Sequence, residues 1–415
     1  MRNYMPDSDL TEQTNLAERE AGVTPSLSRR KLLASLGIAG ATAVAAEVLG
    51  MRNVVFGKKD GVTDAVYDEN GKLRLPDLLA MNFVLPVTAA QLRSETNPMP
   101  NWMYYVRDAG KEGYFYYDAA DTASPDNTGT VLVSISGARF KRVVEDGVVN
   151  VQWFGATGNG VTDDAPAIQA ALHAVPQAGG TLLFPPTESY YALKSQGIWI
   201  ENRSHLSLTS SGAIIKYKDG VPDVRDTTRK YSNIVMQNCK HIKLEGLVLH
   251  GNISNRQALS GGESFQSCLT LISCENVLIR HCTFTEGMTD GIYVGGIYSG
   301  SPSTGTVSLS KNILIDFCAI SRCRRNNISI VAADGVTVSN CSVTDAGTIQ
   351  GTNPKCGIDV EPNKGWFGTC KRIRLQNNTI ENSAGSYGVS FGGSGHEDVH
   401  VDGNRIAYNN TGLNF

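Results

Sequence analysis

A short apolar-x-apolar strand recurs from about residue 198 to the end of the chain, and this repeat constrains the fold more than any other feature. One series of strands, B, begins at Leu206, Ile242, Val277, Ile313, Val336, Ile373 and Val399. A second series, A, lies shortly before B and begins at Ile198, Ile234, Leu269, Ile292, Ile328, Ile358, Val389 and Leu413. Both advance in steps of 23–37 residues. Two strand series that keep step describe one coil repeated, and a unit too small to bury its own apolar face must stack on copies of itself. The expected fold is all-β: a right-handed parallel β-helix with a strand of each series in every coil.

The cysteines test this register. Five residues after the start of B stand Cys282, Cys318 and Cys341, then Asn378 and Asn404; three residues before it stand Cys239, Cys274 and Cys370. Side chains at one repeat position stack on their neighbours about 4.8 Å apart. Nine cysteines, an odd number, at repeat positions and without C-x2-C spacing, point to buried reduced thiols. A disulfide framework or a zinc site would space them differently.

Ahead of the repeat, Ile168, Ala171, Leu172 and Val175 share one helical face, which predicts a helix over Asp163–Ala174. Thr162, Asp163 and Asp164 would cap it and complement its dipole. The helix would cover the open first coil, whose backbone would otherwise face solvent unpaired. The stretch Gln152-Trp153-Phe154-Gly155-Ala156-Thr157-Gly158-Asn159-Gly160-Val161-Thr162-Asp163-Asp164-Ala165-Pro166-Ala167-Ile168-Gln169 resembles the opening motif of the pectate-lyase superfamily of β-helix proteins. That group includes polygalacturonase-like hydrolases, mannuronan epimerases and phage tailspike depolymerases. The motif is structural, and with the repeats the resemblance extends over 149–415.

Residues 46–148 read as a small antiparallel β module. A short helix is expected at Thr88–Arg93, strands at Trp102–Val106 and Tyr114–Tyr117, and two more within Thr128–Val144. Its tyrosines form either a small aromatic core or a glycan-stacking platform. Residues 1–45 are read as a signal. Ser28-Arg29-Arg30-Lys31 precedes an uncharged stretch from Leu32 to Ala46, with small residues at Ala43-Val44-Ala45. That stretch is too short for a membrane span, which needs about 20 residues. It resembles a twin-arginine export signal, which implies the twin-arginine export machinery as a partner and a secreted or cell-surface location.

With 37 basic and 40 acidic residues the net charge is −3, which argues against nucleic-acid binding. At 41% hydrophobic and 19% charged the chain is not disordered.

The residue between the apolar pair of each A strand points outward. Along the stack these are Val235, Thr270, Tyr293, Ser329, Asp359, Ser390 and Asn414; two residues further on stand Gln237, Ile272, Gly295, Val331, Glu361 and Gly392. One coil stands out, Cys356-Gly357-Ile358-Asp359-Val360-Glu361-Pro362-Asn363. Asp359 and Glu361 share a face about 6.6 Å apart along the strand, two rises of about 3.3 Å. Such a pair suits either glycosidase geometry, about 5–5.5 Å for retention or about 6.5–9.5 Å for inversion. Mutual repulsion raises one pKa, as a general acid requires. Asp290, in Thr289-Asp290-Gly291, is the third catalytic candidate. Insertions at 216–232, 251–266, 297–306, 344–355 and 363–370 would wall a groove over this face. The candidate substrate-binding residues are Ser329, Arg324, Arg325, Lys355 and Lys364, with Tyr293 and Trp366 for stacking on sugar rings. Lys216, Lys218, Arg225, Arg229, Lys230 and Arg256 add to a basic set that suggests an anionic glycan. His250, His281, Asp163 and Asp164 read as structural.

The family patterns are matched only in part. Of the polygalacturonase-like set, Thr289-Asp290-Gly291 partly resembles the Asn-Thr-Asp element, and Gly395-His396-Glu397 does not supply a Gly-His-Gly. Of the epimerase Tyr-Gly-Phe-Asp-Pro-His-Glu, Gly357, the apolar Ile358 and Asp359 remain while the Tyr and His are missing. The expectation is an exported polysaccharide-degrading enzyme, glycoside hydrolase-like. A polysaccharide lyase or uronate C5-epimerase is the alternative, and a non-catalytic glycan-binding or spike-like surface protein the alternative of another class. No cofactor or metal is expected; calcium would need more acids than Asp359, Glu361 and Asp290. The sequence stops inside a series A strand, which implies a truncated chain, packing against another subunit or a frayed end; a homotrimer, as the tailspike resemblance implies, is the form of packing that would cover the bare coil.

Overall fold

The computed structural model describes residues 84–415 except 226–228, 260–264, 303 and 367–368. The twin-arginine segment and the rest of 1–83 lie outside the described residues.

A five-stranded sheet comes first, built from β1 (Val84–Val87), β2 (Met103–Val106), β3 (Gly113–Tyr117), β4 (Val131–Val133) and β5 (Arg139–Arg142), in the order β1-β2-β3-β5-β4. The expected antiparallel pairs are present, and β1, which the sequence did not announce, adds to β2 in parallel. Helix α1 (Ala89–Ser94) starts at a capping box in which Thr88 and Gln91 satisfy each other's backbone N–H. The tyrosines divide by strand alternation. Tyr104 and Phe115 enter the core with Leu92, Leu132 and Phe140, while on the opposite face the Tyr105 and Tyr114 rings lie 5.0 Å apart.

Arg142 joins this sheet to the turn at Trp153 that opens the β-helix. Its guanidinium donates to the carbonyls of Lys111, Glu112 and Gly129 and lies over the rings of Phe115 and Trp153. Helix α2 (Ala165–Ala174) is shorter than expected at its start. Asp164 is not a side-chain cap: it is buried and accepts N–H bonds from Thr157, Gly158 and Ala192, tying the preceding loop to the first coil. Asp163 accepts from Ala165 and Lys194. The helix covers the first coil as the unpaired edge requires. Gln169 both donates to the Trp199 carbonyl and accepts its N–H, standing in for the missing neighbour strand. Arg203 donates to the carbonyls of Leu172, Val175 and Pro176 at the helix end.

The coils then stack. Series B forms a nine-stranded sheet running from Val148–Asn150 to Glu397–Asp402, and series A an eight-stranded sheet from Ile198–Glu201 to Thr411–Asn414. Both registers are those read from the sequence, residue for residue, from Ile198 to Leu413 and from Leu206 to Val399. A third sheet, of three- or four-residue strands from Tyr191–Leu193 to Arg405–Ala407, completes each coil. Tyr191, Ile215, Leu249, Phe284, Ile320, Val343, Ile380 and Ile406 stack in register on the core side, and the first two strands also bury Leu193 and Tyr217 there. The corner between the series B sheet and this short-stranded sheet is turned by one left-handed residue per coil: Gly212, Gly246, His281, Phe317, Asn340, Asn377 and Gly403. His281 is therefore a corner residue, stacked on Phe317.

The core is a column of aliphatic side chains between the three sheets, with Ile234, Leu271, Ile292, Ile328 and Ile358 fully buried. Truncating one, as in Ile292→Ala, removes packing from two neighbours at once and costs about 2–5 kcal/mol. All nine cysteines are buried and unbridged. In the corner ladder the Cys318 N–H points at the Cys341 sulfur, the Cys341 N–H donates to Asn378 Oδ1, and the Asn378 N–H donates to Asn404 Oδ1. Asparagine thus continues the thiol stack.

The outer face of the series B sheet carries a column of alternating charge. Lys240, Glu275, Lys311, Asp334, Lys371 and Glu397 are consecutive partners. Lys240 meets Glu275 at 3.1 Å and Lys371 meets Glu397 at 2.9 Å.

Candidate active site on the series A face

The series A face is not open. Its outward residues were expected in solvent, yet Thr270, Tyr293, Ser329, Asp359 and Ser390 are all buried. The insertions fold down over the sheet instead of standing beside it. Ser232 shares a hydrogen bond with Thr270, and the guanidinium of Arg229 lies 3.7 Å from the centre of the Tyr293 ring. That arginine covers the ring face on which a sugar was expected to stack.

The covering loops are pinned by buried polar groups. Arg256 donates to the carbonyls of Val221 and Gly251 and to Gln266, which donates to Asp223. Gln350 donates to the carbonyls of Ile253 and Arg256. Arg324, expected at the substrate, is buried and donates to the carbonyls of Gln350 and Leu259, so it anchors two loops. His250 accepts the Asn252 N–H within a turn, and burial lowers its pKa.

Arg325, Ser329, Asp290 and Asp359 do come together. Asp359 occupies the middle of the strand Ile358–Val360, with Ile358 and Val360 buried inward on either side. It is 3% exposed. Asn326 Nδ2 donates to Asp359 Oδ2 at 3.0 Å and lies 3.1 Å from Ser329 Oγ. The Asn326 N–H donates to Asp290 Oδ1, and Asn326 Oδ1 accepts the Cys356 N–H. Arg325 Nη1 lies 3.7 Å from Asp290 Oδ1 and 3.4 Å from Ser329 Oγ. Asn326 was missed in the sequence because Arg324-Arg325-Asn326-Asn327 reads as an ordinary polar turn.

Burial pushes the Asp359 carboxyl up to about 7, with the charges of Glu361 and Asp290 acting in the same direction. Arg325 and the Asn326 hydrogen bond oppose the shift and do not cancel it. Glu361 follows on the same face and is exposed. Gly392 in the next coil leaves room for it: a Cβ there would stand 3.1 Å from Glu361 Cγ. A protonated acid beneath an exposed carboxylate is an arrangement that can give a proton to one side of a bond and take one on the other.

The remaining candidates lie elsewhere. Lys355 is half-buried, its side chain against Gly347. Lys364 is exposed and Trp366 half-buried, in the loop after Glu361. Among the described residues no group of three or more His, Cys, Asp or Glu is arranged to hold a metal ion, and no helix is long and apolar enough to cross a membrane.

Known proteins resemble this chain in sequence and fold. The Bacillus subtilis (strain 168) protein YclG is 27% identical over 283 residues, 63% of this chain and 46% of its own length. The pre-neck appendage protein of Bacillus phage phi29 is 28% identical over 250 residues, 58% of this chain and 26% of its own. The chain thus spans less than half the length of these curated relatives. The solved tailspike protein gp49 of the Acinetobacter baumannii bacteriophage Fri1, a capsular polysaccharide depolymerase, superposes with a TM-score of 0.50 at 14% identity. That match covers 80% of this chain and 62% of the tailspike, and it shows the shared fold. The small leading sheet matches the phage tail protein small four-stranded β-sheet domain over residues 87–145. The right-handed β-helix region matches residues 191–415, more than half of the chain, and the protein belongs to that family.

Proposed function

We propose that this protein is exported and cleaves an extracellular polysaccharide by hydrolysis at the Asp359–Glu361 face. The observation that carries the reading is the Asp359 carboxyl: it is buried, held by Asn326 and protonated up to a pH of about 7. In the proposed step Asp359 gives its proton to the glycosidic oxygen as the bond to the anomeric carbon breaks. Water adds to that carbon and passes a proton to Glu361. Arg325, already beside Asp290 and Ser329, adds positive charge for an anionic sugar. Delivery through the twin-arginine-type signal and assembly as a homotrimer belong to the same proposal. The phage appendage relative and the depolymerase activity named for the Fri1 tailspike support a role at a glycan surface.

A second reading, a spike-like protein that binds glycans without cleaving them, is favoured by the near-complete burial of Asp359. Product analysis on a panel of bacterial and plant polysaccharides separates the readings. Hydrolysis releases new reducing ends with no ultraviolet absorbance, elimination adds an absorbing unsaturated end, and epimerisation gives neither. Turnover that survives both Asp359→Asn and Glu361→Gln would refute the site; binding with no turnover of any polymer would leave the spike reading.

A further inference from the structure

After Glu361 the chain does not run straight into the series B sheet. A hairpin, Ile297–Ser299 paired with Thr306–Ser308, leaves the stack two coils earlier, just after Gly295 in the outward column that also holds Val331 and Glu361. Between the hairpin and the loop after Glu361 lies a cavity of about 380 Å³, lined by Pro302, Gly305, Val307, Leu309, Gly365, Trp366 and Thr369. That volume falls within the ~300–1,000 Å³ range of small-ligand clefts.

Its walls differ from the carboxylate site. Among the described residues of the lining none is charged, and Thr369 supplies the one side-chain hydroxyl. That hydroxyl lies 3.0 Å from the Val331 carbonyl and 3.1 Å from the Trp366 carbonyl, which sets the cavity against the Glu361 column. Trp366 is held by packing. Its ring meets Tyr298 edge-on, with centroids 5.1 Å apart, and a Cβ at Gly305 would stand 2.5 Å from its Cη2 atom. An indole in one lining with Pro302, Val307 and Leu309 suits a ligand with one flat C–H face and a small apolar projection.

We infer that this cavity is a sugar subsite that seats a methyl-bearing pyranose, a 6-deoxyhexose or an N-acetylhexosamine, with its ring on Trp366 and its methyl group against Pro302, Val307 and Leu309. The inference rests on the glycan reading of this face and adds the kind of residue that the polymer carries beside the cleaved bond. An N-acetyl group also brings an N–H for the Thr369 oxygen to accept, so the two sugar types are separable.

The test uses the full chain with 15N-labelled tryptophan, whose four indoles are assigned with the aid of Trp366→Phe. The probes are methyl α-L-rhamnoside, methyl α-L-fucoside and methyl N-acetyl-β-D-glucosaminide, against methyl α-D-glucoside and methyl α-D-mannoside. The Trp366 indole should shift at concentrations at least ~5-fold lower for a methyl-bearing glycoside than for the controls, with the other indoles unmoved. Val307→Thr, which keeps the side-chain shape and adds a hydroxyl to the wall, should weaken that response ~3–10-fold. A silent Trp366 indole, or an equal response to methyl-bearing and plain glycosides, overturns the inference. Polysaccharide hydrolysis by a preparation with a silent indole sinks the subsite alone. A responding indole in a protein that cleaves nothing sinks the carboxylate reading and keeps the subsite.

Discussion

Asn326 gives one amide hydrogen to Oδ2 of Asp359 while its own carbonyl oxygen accepts the N–H of Cys356, and it is fully buried. The second bond fixes which end of the amide faces the acid. Oδ2 is therefore an acceptor, which leaves Oδ1 as the oxygen to carry a proton.

Replacing Asn326 by Ala removes a bond that favours the ionised acid, so the Asp359 pKa should rise above about 7. The alkaline limb of the rate profile should move to higher pH, and turnover at its optimum should fall ~10–100-fold as the proton loses its fixed oxygen. A pH–rate profile on reducing-end release reads both effects. A fall in rate with the limb unmoved would show that Asn326 serves structure alone.

Asp359 also marks stability. Its folded pKa of about 7 stands above the unfolded value of 3.8, so between them the folded state holds the extra proton. Stability is then greatest below about pH 4 for this group and is lost as pH rises towards 7. The difference, about three pH units, corresponds to at most about 4 kcal/mol. Asp359→Asn should cancel that loss, so the mutant should gain in melting temperature over the natural protein at pH 8 and not at pH 4. Equal gains at both pH values would count against the buried-acid assignment.

The cysteines give a chemical count. A thiol reagent should label none of the nine in the folded protein and all nine in denaturant, and gel mobility should not depend on reductant. In the ladder, Cys318→Ser should cost about 1–3 kcal/mol more than Cys318→Ala, because it places a hydroxyl where a weakly polar thiol was buried.

Lys311→Glu would place three negative side chains in successive coils, with Glu275 and Asp334 on either side. The melting temperature should fall by more than in Lys311→Gln, and the excess should shrink in 1 M salt, which screens exposed charge. An excess that persists in salt would assign the loss to packing.

The coil was legible because two of its sheets carry an apolar pair on every strand. Ile198 to Leu413 and Leu206 to Val399 each kept one register. The third sheet was not, since strands such as Val248–His250 and Thr283–Thr285 turn one side chain inward and leave no alternation to read. Asp359 and Glu361 could be placed on one face from strand period alone. That Asp359 is buried could not be, because the groups that meet it come from an irregular turn of the preceding coil, where Asn326 donates to its Oδ2. Ser329 and Arg325 gather at the acid through a turn whose contacts have no sequence period.

The alternating column from Lys240 to Glu397 makes the number of coils a matter of parity. Excising the single coil that holds Glu275 would lay Lys240 directly on Lys311, while excising the two that hold Glu275 and Lys311 would lay Lys240 on Asp334. Growth or shrinkage by coil pairs preserves the pattern, and a one-coil change sets like charges side by side. A stack built this way can change its length in steps of two without setting like charges side by side in this column.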